Sequence, residues 1–222
     1  MTSTARSDRS GPLFADRADA GRRLADALAA DGIADGIVVG LARGGVVTAA
    51  AVAERLGLPL DVLAVRKVGH PLEPEYAIGA VTPGGGLFLR DDGWTTPEAV
   101  AAAVAAAERR AEELDDRLHA GYAALDPAGR TVLLVDDGLA TGATMTAAVR
   151  WAREAGAARV VVAIPLGPAD TVAALASEAD EVVCPEQPPL FGAVGLWYER
   201  FPPVADEEVS ALLAEARGRG EG

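Results

Sequence analysis

The sequence predicts an α/β protein built on a doubly wound parallel sheet. Apolar runs alternate with helical patterns from Gly36 to Cys184, which is typical of parallel strands joined by crossover helices. The runs are continuous, as in VLLV at 132–135, and this indicates strands buried on both faces. Two of the runs end at charged residues followed by small-residue turns. Because open α/β sheets bind ligands at the carboxyl ends of their strands, these turns are where we expect the site.

Composition excludes several classes of function. The chain has 222 residues, a formal net charge of −13 and a single cysteine, Cys184. Such an acidic chain is not expected to bind nucleic acid broadly or an anionic membrane. No apolar run approaches the roughly 20 residues of a membrane span, and the first eleven residues lack the apolar stretch of a signal peptide. We therefore expect a cytoplasmic protein in which Cys184 is a small buried hydrophobe.

The regular elements follow a polar lead-in at 1–11, which we expect to be disordered. Apolar runs predict strands at 36–41, 60–65, 132–135, 159–165 and 181–183. Helical spacing predicts helices at 14–30, 46–56, 97–119, 143–154, 169–177 and 206–216. Thr96 and Pro97 supply an N-cap and a first-turn proline, which together form a good start signal for the third helix.

An insertion follows the second predicted strand. The segment 68–76 is rich in Gly, Pro and charge and predicts irregular structure. Short strands at 78–81 and 86–89 flank a proline–glycine turn, so we expect a hairpin-like flap at about 68–95 that can close over a substrate. The polar side chains of interest in this insertion are His70, Glu73 and Glu75. For His70 a surface position is favoured over catalysis, and for Glu73 and Glu75 it is favoured over a contact to a base or sugar.

The segment TVLLVDDGLATGATM, from Thr131 to Met145, carries the strongest chemical signal. Asp136 and Asp137 fall where the strand must end, and a small-residue loop precedes a helix that begins near Ala143. Small residues let backbone N–H groups approach a phosphate, and the helix adds its positive N-terminal end. The two carboxylates suit sugar hydroxyls beside that phosphate or a hydrated cation. A Walker A loop is excluded, because Ala143 stands where its lysine belongs.

Positive charge is predicted at two further strand ends. Arg43 lies in an ARGG turn after the first strand, and Arg66 and Lys67 end the second. Lys67 is the only lysine among 20 basic residues, which hints at a place that the planar fork of arginine would not serve. Either site could meet an anionic ligand, and either could be a solvated surface group.

Together these residues resemble the type I phosphoribosyltransferases, whose signature is an apolar strand, two acids and a small-residue loop that ends in Thr-Gly-x-Thr. The match runs without a gap from Val132 to Thr144. With the RKVGHP and AVGLWYERF segments, the layout past residue 12 looks most like a group of bacterial phosphoribosyltransferases of undefined substrate. The resemblance implies a core at 12–184, and a C-terminal hood and last helix at 185–222.

The family transfers ribose 5-phosphate from phosphoribosyl pyrophosphate to a nitrogen, usually of a nucleobase, and releases pyrophosphate, as in nucleotide salvage. The resemblance makes Asp136, Asp137, Lys67 and Arg43 the catalytic candidates. The two acids would hold the ribose hydroxyls, with Mg²⁺ held through substrate or water. The implied 5-phosphate loop is Gly138, Leu139, Ala140, Thr141, Gly142, Ala143 and Thr144. The implied pyrophosphate loop is Ala42, Arg43, Gly44 and Gly45.

Residues of the hood and of the implied 5-phosphate loop indicate which acceptors are expected. Phe191, Trp197 and Tyr198 are candidates for stacking on a flat base, with packing of the hood on the core as the alternative for each. The 6-oxopurine members of the family usually carry an Asp where this chain has Ala140, so guanine and hypoxanthine are less expected acceptors. The acceptor itself stays open.

Two other functions compete with the transferase. A non-catalytic sensor of phosphoribosyl pyrophosphate or of a nucleotide, acting on a protein partner, would keep the same motif. A hydrolase that uses the acid pair is a weaker third hypothesis. The chain shows neither an N-terminal helix-turn-helix nor a basic stripe, which speaks against a DNA- or RNA-binding regulator. The Ala-rich helix at 97–119 offers a face for a homodimer, which the sequence does not decide.

Overall fold

A five-stranded parallel sheet with helices on both faces forms the centre of the fold, as predicted. The structure is a computed structural model, and it describes residues 11–29, 33, 35–90 and 95–220. A smaller, three-stranded antiparallel sheet is inserted after the second strand. The lead-in expected to be disordered lies outside the described residues except for Gly11.

The element boundaries agree with the predicted ones to within a few residues outside the inserted sheet. The strands are β1 (Gly36–Ala42), β2 (Leu60–Ala64), β3 (Arg66–His70), β4 (Glu73–Val81), β5 (Leu87–Leu89), β6 (Thr131–Val135), β7 (Arg159–Ala163) and β8 (Glu181–Val183). The helices are α1 (Arg17–Leu28), α2 (Gly44–Leu56), α3 (Pro97–Leu118), α4 (Ala143–Glu154), α5 (Ala169–Leu175) and α6 (Asp206–Gly220), with a 3₁₀ turn at Val194–Trp197.

The strand order of the parallel sheet is β2-β1-β6-β7-β8, which places three charged strand ends side by side. In the register, Ala42 at the end of β1 pairs with Ala64 at the end of β2. On its other side β1 pairs with β6, with Gly40 opposite Val135. The residues that follow β1, β2 and β6 therefore emerge at one edge of the sheet, at its carboxyl end.

Two apolar layers cover the sheet. Side chains of α2, α3 and α6 pack on one face, and side chains of α4 and α5 pack on the other. α2 comes close to β1 because Gly40 has no side chain. A β-carbon at Gly40 would lie 2.7 Å from the Cα of Val46. This close packing holds the beginning of α2 over the end of β1.

The prediction of irregular structure at 68–76 is wrong. β3 and β4 pair in an antiparallel manner across this segment, with register shifts between Val68 and His70. Gly69 lies so close to Pro74 that any side chain at Gly69 would overlap the Pro74 carbonyl oxygen. The bulge and the bare glycine let a strand form where the composition suggests a loop. The predicted hairpin is confirmed, since β5 pairs antiparallel with β4.

His70 is buried, so its expected surface position is also wrong. The side chain is 2% exposed. Its Nδ1 accepts a hydrogen bond from the Leu72 N–H at 3.1 Å, and its Nε2 lies 2.8 Å from Thr95 Oγ1. The imidazole therefore ties the β3–β4 turn to the start of α3. Thr96 caps that helix as predicted, because its Oγ1 accepts from the Ala99 N–H at 3.3 Å.

The hood packs against the beginning of the chain. The N–H groups of Leu13 and Phe14 donate to the Trp197 carbonyl at 2.8 and 3.0 Å. The Tyr198 ring packs between Phe14 and Phe201, with ring centres 5.3 and 4.9 Å away. Within the described parts of the chain, no helix combines the length and the apolar character needed to cross a membrane.

Candidate functional site

Asp136 and Asp137 follow β6 directly at the carboxyl edge of the sheet. Oδ1 of Asp136 accepts a hydrogen bond from the Asp137 N–H at 2.8 Å. Burial, together with the neighbouring Asp137 carboxylate, raises the pKa of Asp136 well above its usual value. Burial also raises the pKa of Asp137, against a hydrogen bond from Arg17 that lowers it. Two neighbouring carboxylates with little access to solvent favour ligands that bring hydroxyl donors or positive charge.

The ARGG turn places the beginning of α2 against this acid pair. A β-carbon on Gly44 would overlap Oδ2 of Asp137, and one on Gly45 would lie 2.8 Å from Oδ1 of Asp136. Arg43 is the N-cap residue of α2, and its side chain makes no capping hydrogen bond. The Val46 N–H donates to the Arg43 carbonyl at 3.1 Å, so the N–H groups of Gly44 and Gly45 are the ones open to another acceptor. The helix dipole adds positive potential there.

The loop after the acid pair leads into a second helix start without a side-chain cap. Gly142 is the N-cap residue of α4, and its φ of 77° is a left-handed conformation that favours glycine. Because glycine has no side chain, it leaves the first N–H groups of α4 to other acceptors. Thr141 is exposed and Thr144 is half-buried. The Thr141 carbonyl accepts a hydrogen bond from Arg90 Nη2 at 3.3 Å, so the residue after β5 contacts this loop.

The first half of the same loop is anchored to the core. Leu139 is 2% exposed, and its N–H donates to the Leu166 carbonyl at 2.9 Å. Gly138 lies under the hood, since a β-carbon there would be 2.6 Å from Val194. Ala140 is exposed. The loop thus has a fixed beginning and an open end from Ala140 to the start of α4.

The basic side chains lie at the neighbouring strand ends. The Arg43 guanidinium donates from Nε to the Asp206 carboxylate at the start of α6, and Arg117 lies 3.4 Å from the same carboxylate. Lys67 is exposed in β3, just beyond the end of β2. Burial lowers the pKa of Arg66, and the charge of Arg43 adds to this effect. Positive charge is therefore concentrated at this corner of an acidic protein, around one carboxylate.

Arg17, at the start of α1, is a site residue that the sequence analysis missed. It is 8% exposed, and its Nε donates to Oδ2 of Asp137 at 2.7 Å. Its Nη1 donates to the Pro202 carbonyl at 2.7 Å, and its guanidinium lies 3.7 Å from the centre of the Phe201 ring. The two hydrogen-bond partners are 120 and 185 residues away in the chain. No local pattern could have identified this residue.

The three hood aromatics occupy different environments. Tyr198 is 4% exposed, and its hydroxyl donates to the Asp137 carbonyl, which matches packing of the hood on the core. Phe191 and Trp197 are half-buried, and the indole Nε1 donates to the Phe191 carbonyl at 2.8 Å. With Leu190 and Leu196 they line an open apolar cavity of about 420 Å³. Unlike Tyr198, these two rings are partly exposed.

The acid pair is the part of the site that could hold a cation. The described residues contain no group of three or more His, Cys, Asp or Glu side chains arranged to hold a metal ion. Cys184 is half-buried rather than buried, and burial raises the pKa of its thiol to about 12. A hard cation at Asp136 and Asp137 would have to complete its coordination with oxygens from water or a substrate.

Comparison with known proteins identifies the family. The family model described as phosphoribosyl transferase domain matches residues 14–194. The Mycobacterium tuberculosis proteins "Putative phosphoribosyl transferase MT0597" and "Putative phosphoribosyl transferase Rv0571c" are each 47% identical to this chain over 208 residues, which is 92% of this chain and 47% of each relative. The chain thus spans about half the length of these curated relatives.

One solved structure is similar to this chain in both sequence and fold. The crystal structure of TT1426 from Thermus thermophilus is 43% identical and superimposes with a TM-score of 0.79, covering 91% of this chain and 98% of that one. The family match includes both helix starts and the acid pair between them. The chain therefore belongs to the family of phosphoribosyl transferase domains.

Proposed function

We propose that this protein is a Mg²⁺-dependent phosphoribosyltransferase. It transfers ribose 5-phosphate from phosphoribosyl pyrophosphate to a nitrogenous base and releases pyrophosphate. The observation that carries the proposal is the acid pair at the carboxyl edge of the sheet, in contact with the start of α2 and joined by a short loop to the start of α4. A sugar diol with an anionic group at each end fits this arrangement.

Each part of the substrate has a matching part of the site. Asp136 and Asp137 accept hydrogen bonds from the ribose hydroxyls. The loop from 138 to 144 and the first N–H groups of α4 take the 5-phosphate. The start of α2, with Arg43 and Lys67, takes the pyrophosphate. The positive charge of this corner is thus matched to the more highly charged end of the substrate.

The catalytic contribution of these residues follows from the charges that change. As the bond to pyrophosphate breaks, positive charge develops on the sugar and negative charge on the leaving group. Arg43, Lys67 and the N–H groups at Gly44 and Gly45 stabilise the leaving anion in place. The acid pair holds the sugar by its hydroxyls, so that the anomeric carbon faces the acceptor nitrogen.

The residues present fit a magnesium ion. Two adjacent carboxylates supply the hard oxygen ligands that Mg²⁺ prefers, and the missing ligands match the hydroxyl and phosphate oxygens of the substrate. Bound there, the ion would neutralise part of the pyrophosphate charge. Asp136 and Asp137 are the residues that would hold it, directly or through water.

The acceptor is a flat nitrogenous base. Phe191 and Trp197 offer aromatic surface on an apolar cavity, which suits stacking on a ring. Ala140 is exposed in the phosphate loop and carries no polar side-chain group, so recognition of the ring edge has to come from other residues. Tyr198 contributes by holding the hood on the Asp137 backbone rather than by stacking.

A non-catalytic sensor of phosphoribosyl pyrophosphate or of a nucleotide is the second candidate. One observation favours it, because Asp206 already engages the side chain of Arg43 that pyrophosphate would need. In a sensor, release of Asp206 by the ligand would move α6 and so signal to a protein partner. Only turnover separates this candidate from the transferase.

The deciding experiment measures pyrophosphate release from phosphoribosyl pyrophosphate and Mg²⁺ against a panel of nucleobases. The double variant Asp136→Asn/Asp137→Asn serves as the control. Release that depends on one base and is lost in the double variant would support the transferase and name its acceptor. Binding without release for any base favours the sensor. Absence of binding by calorimetry would rule out both candidates.

A further inference from the structure

We infer that Arg17 is a positioning residue for phosphoribosyl pyrophosphate, because it holds the Asp137 carboxylate in the orientation that grips the ribose. The inference rests on the proposed function and adds to it a residue outside the strand–loop–helix motif. Arg17 belongs to α1, which precedes the parallel sheet in the chain. It contacts Asp137 across 120 residues of the sequence.

The guanidinium of Arg17 is held on three sides. Nε donates to Oδ2 of Asp137 at 2.7 Å, and Nη1 donates to the carbonyl of Pro202 at 2.7 Å. The Phe201 ring lies 3.7 Å from the guanidinium carbon, a distance at which an arginine stacks on an aromatic face. With 8% of the residue exposed, the side chain has little room for another rotamer. The Arg17 guanidinium is therefore held in one position, from which it can orient the Asp137 carboxylate.

The two acids have different supports, and this difference gives Arg17 its role. The Asp136 carboxylate is oriented locally by the N–H of the next residue. The Asp137 carboxylate is oriented by Arg17 at Oδ2, which leaves Oδ1 for a ribose hydroxyl. Gly44 closes the side of Oδ2, since a β-carbon there would overlap that oxygen. Without Arg17, the Asp137 side chain would lose the partner that sets its rotation.

The charges of the acid pair and of Arg17 also support a positioning role for Arg17. Two adjacent carboxylates repel each other, and the guanidinium of Arg17 compensates one of them at hydrogen-bond distance. A charge-assisted hydrogen bond from a planar, fixed donor sets direction as well as energy. Lysine could supply the charge but neither the fork nor the stacking on Phe201. The conservative variant therefore separates charge from geometry.

Arg17 also connects the ribose site to the hood. Phe201 and Pro202, which fix the guanidinium, follow Tyr198, and the Tyr198 hydroxyl binds the Asp137 carbonyl. The Asp137 backbone thus contacts the C-terminal segment directly through Tyr198, and its side chain is linked to that segment through Arg17. Disturbing the hood at Phe201 should consequently weaken sugar binding without touching a residue of the family motif.

The test is calorimetric binding of phosphoribosyl pyrophosphate with Mg²⁺ to the full chain. We expect Arg17→Gln to weaken binding about 10- to 100-fold, the usual cost of removing a partner that orients a ligating side chain. Arg17→Lys should recover part of the loss. Arg23→Gln on the same helix is the matched control, because Arg23 is 55% exposed and lies over Phe14 instead. This control should bind as the wild type does.

A double-mutant cycle with Asp137→Asn separates positioning from a general effect on folding. If Arg17 acts through Asp137, Arg17→Gln costs affinity in the wild type and almost none in the Asp137→Asn background. Equal losses in both backgrounds would overturn the inference, and so would wild-type affinity in Arg17→Gln. Should Arg17→Gln fail to fold, Phe201→Leu takes its place in the cycle with the same expectation at smaller magnitude. A wild-type protein that binds no phosphoribosyl pyrophosphate would instead contradict the proposed function.

Discussion

Gly44 and Asp137 share one small space at the carboxyl edge of the sheet. The α-carbon of Gly44 faces Oδ2 of Asp137 so closely that a β-carbon would overlap it, and the nitrogens Nε and Nη2 of Arg17 would lie 3.1 and 3.2 Å from that β-carbon. The carboxylate cannot simply move aside, because Arg17 holds it at 2.7 Å. A change at the start of the proposed pyrophosphate loop should therefore also displace the Asp137 carboxylate proposed to bind the ribose.

Gly44→Ala should consequently abolish measurable binding of phosphoribosyl pyrophosphate. The added methyl group displaces the Asp137 carboxylate or shifts α2, and overpacking of this kind costs about 1–3 kcal/mol of stability. Calorimetry and urea denaturation measure the two effects. Gly218→Ala is the control, since nothing lies within 4 Å of a β-carbon there and alanine favours a helix. Normal binding by Gly44→Ala would show that the loop does not approach the acid pair as described.

Substitution of Arg43 or Lys67 should weaken binding of the pyrophosphate end of the substrate and leave binding of the 5-phosphate end nearly unchanged. Arg43→Gln or Lys67→Gln is expected to weaken phosphoribosyl pyrophosphate about tenfold, the value of one hydrogen bond to a charged group. Binding of ribose 5-phosphate, which lacks the pyrophosphate, should change little. Titration of both ligands gives the comparison, with Arg22→Gln on α1 as an exposed control. An equal loss for both ligands would contradict the assigned pyrophosphate role.

The sequence predicted the parts of the site whose signals are local. The acid pair, the small-residue loop and both helix starts follow from runs of a dozen residues, because strand end, turn and helix N-terminus are specified by neighbours in the chain. Arg17 and the buried Tyr198 hydroxyl contact Asp137 across 120 and 61 residues. Contacts of that length depend on how helices and hood pack, which periodicity does not encode.

The inserted sheet shows a second limit. Gly69 and Pro74 led to the prediction of a loop in this segment. In the structure they face each other in the β3–β4 pair. The same error led to an exposed position for His70, whose ring is buried beside the turn. Composition reports the average preference of a residue type, whereas a bulge uses glycine for its missing side chain.

Gly142→Ala should impair the proposed 5-phosphate loop. Gly142 has a φ of 77°, where a side chain costs about 1–2 kcal/mol, and its β-carbon would lie 2.9 Å from Thr171. We expect lower stability together with weaker binding of ribose 5-phosphate, because the first turn of α4 shifts. Gly57→Ala is a matched control, with a φ of 67° and open space around it, at the far end of α2. It should lose similar stability but no ligand affinity, and loss of affinity in both variants would point to general destabilisation.

His119 should make the stability of the protein depend on pH. Hydrogen bonds to Asp115 and Asp61 raise the pKa of His119 to about 10 from an ordinary value of 6.5. Its Nε2 lies 3.0 Å from Asp61 Oδ1, and Asp61 is itself buried and 3.7 Å from Arg217. Because the folded state binds the proton more tightly than the unfolded state, the stabilisation is complete below pH 6.5. It is lost as the pH rises through about 10.

His119→Gln measures this contribution directly. The variant should be less stable than the wild type by about 3 kcal/mol near pH 6, where the histidine is charged and its carboxylate partners are ionised, the cost of breaking a buried pair. The difference should shrink steadily between about pH 6.5 and pH 10, and urea denaturation across that range measures it. Asp115→Asn, which removes the largest cause of the raised pKa, should lower the pH at which the difference disappears. A difference that stays constant across the range would mean that His119 is neutral in the folded protein and stabilises it through packing alone.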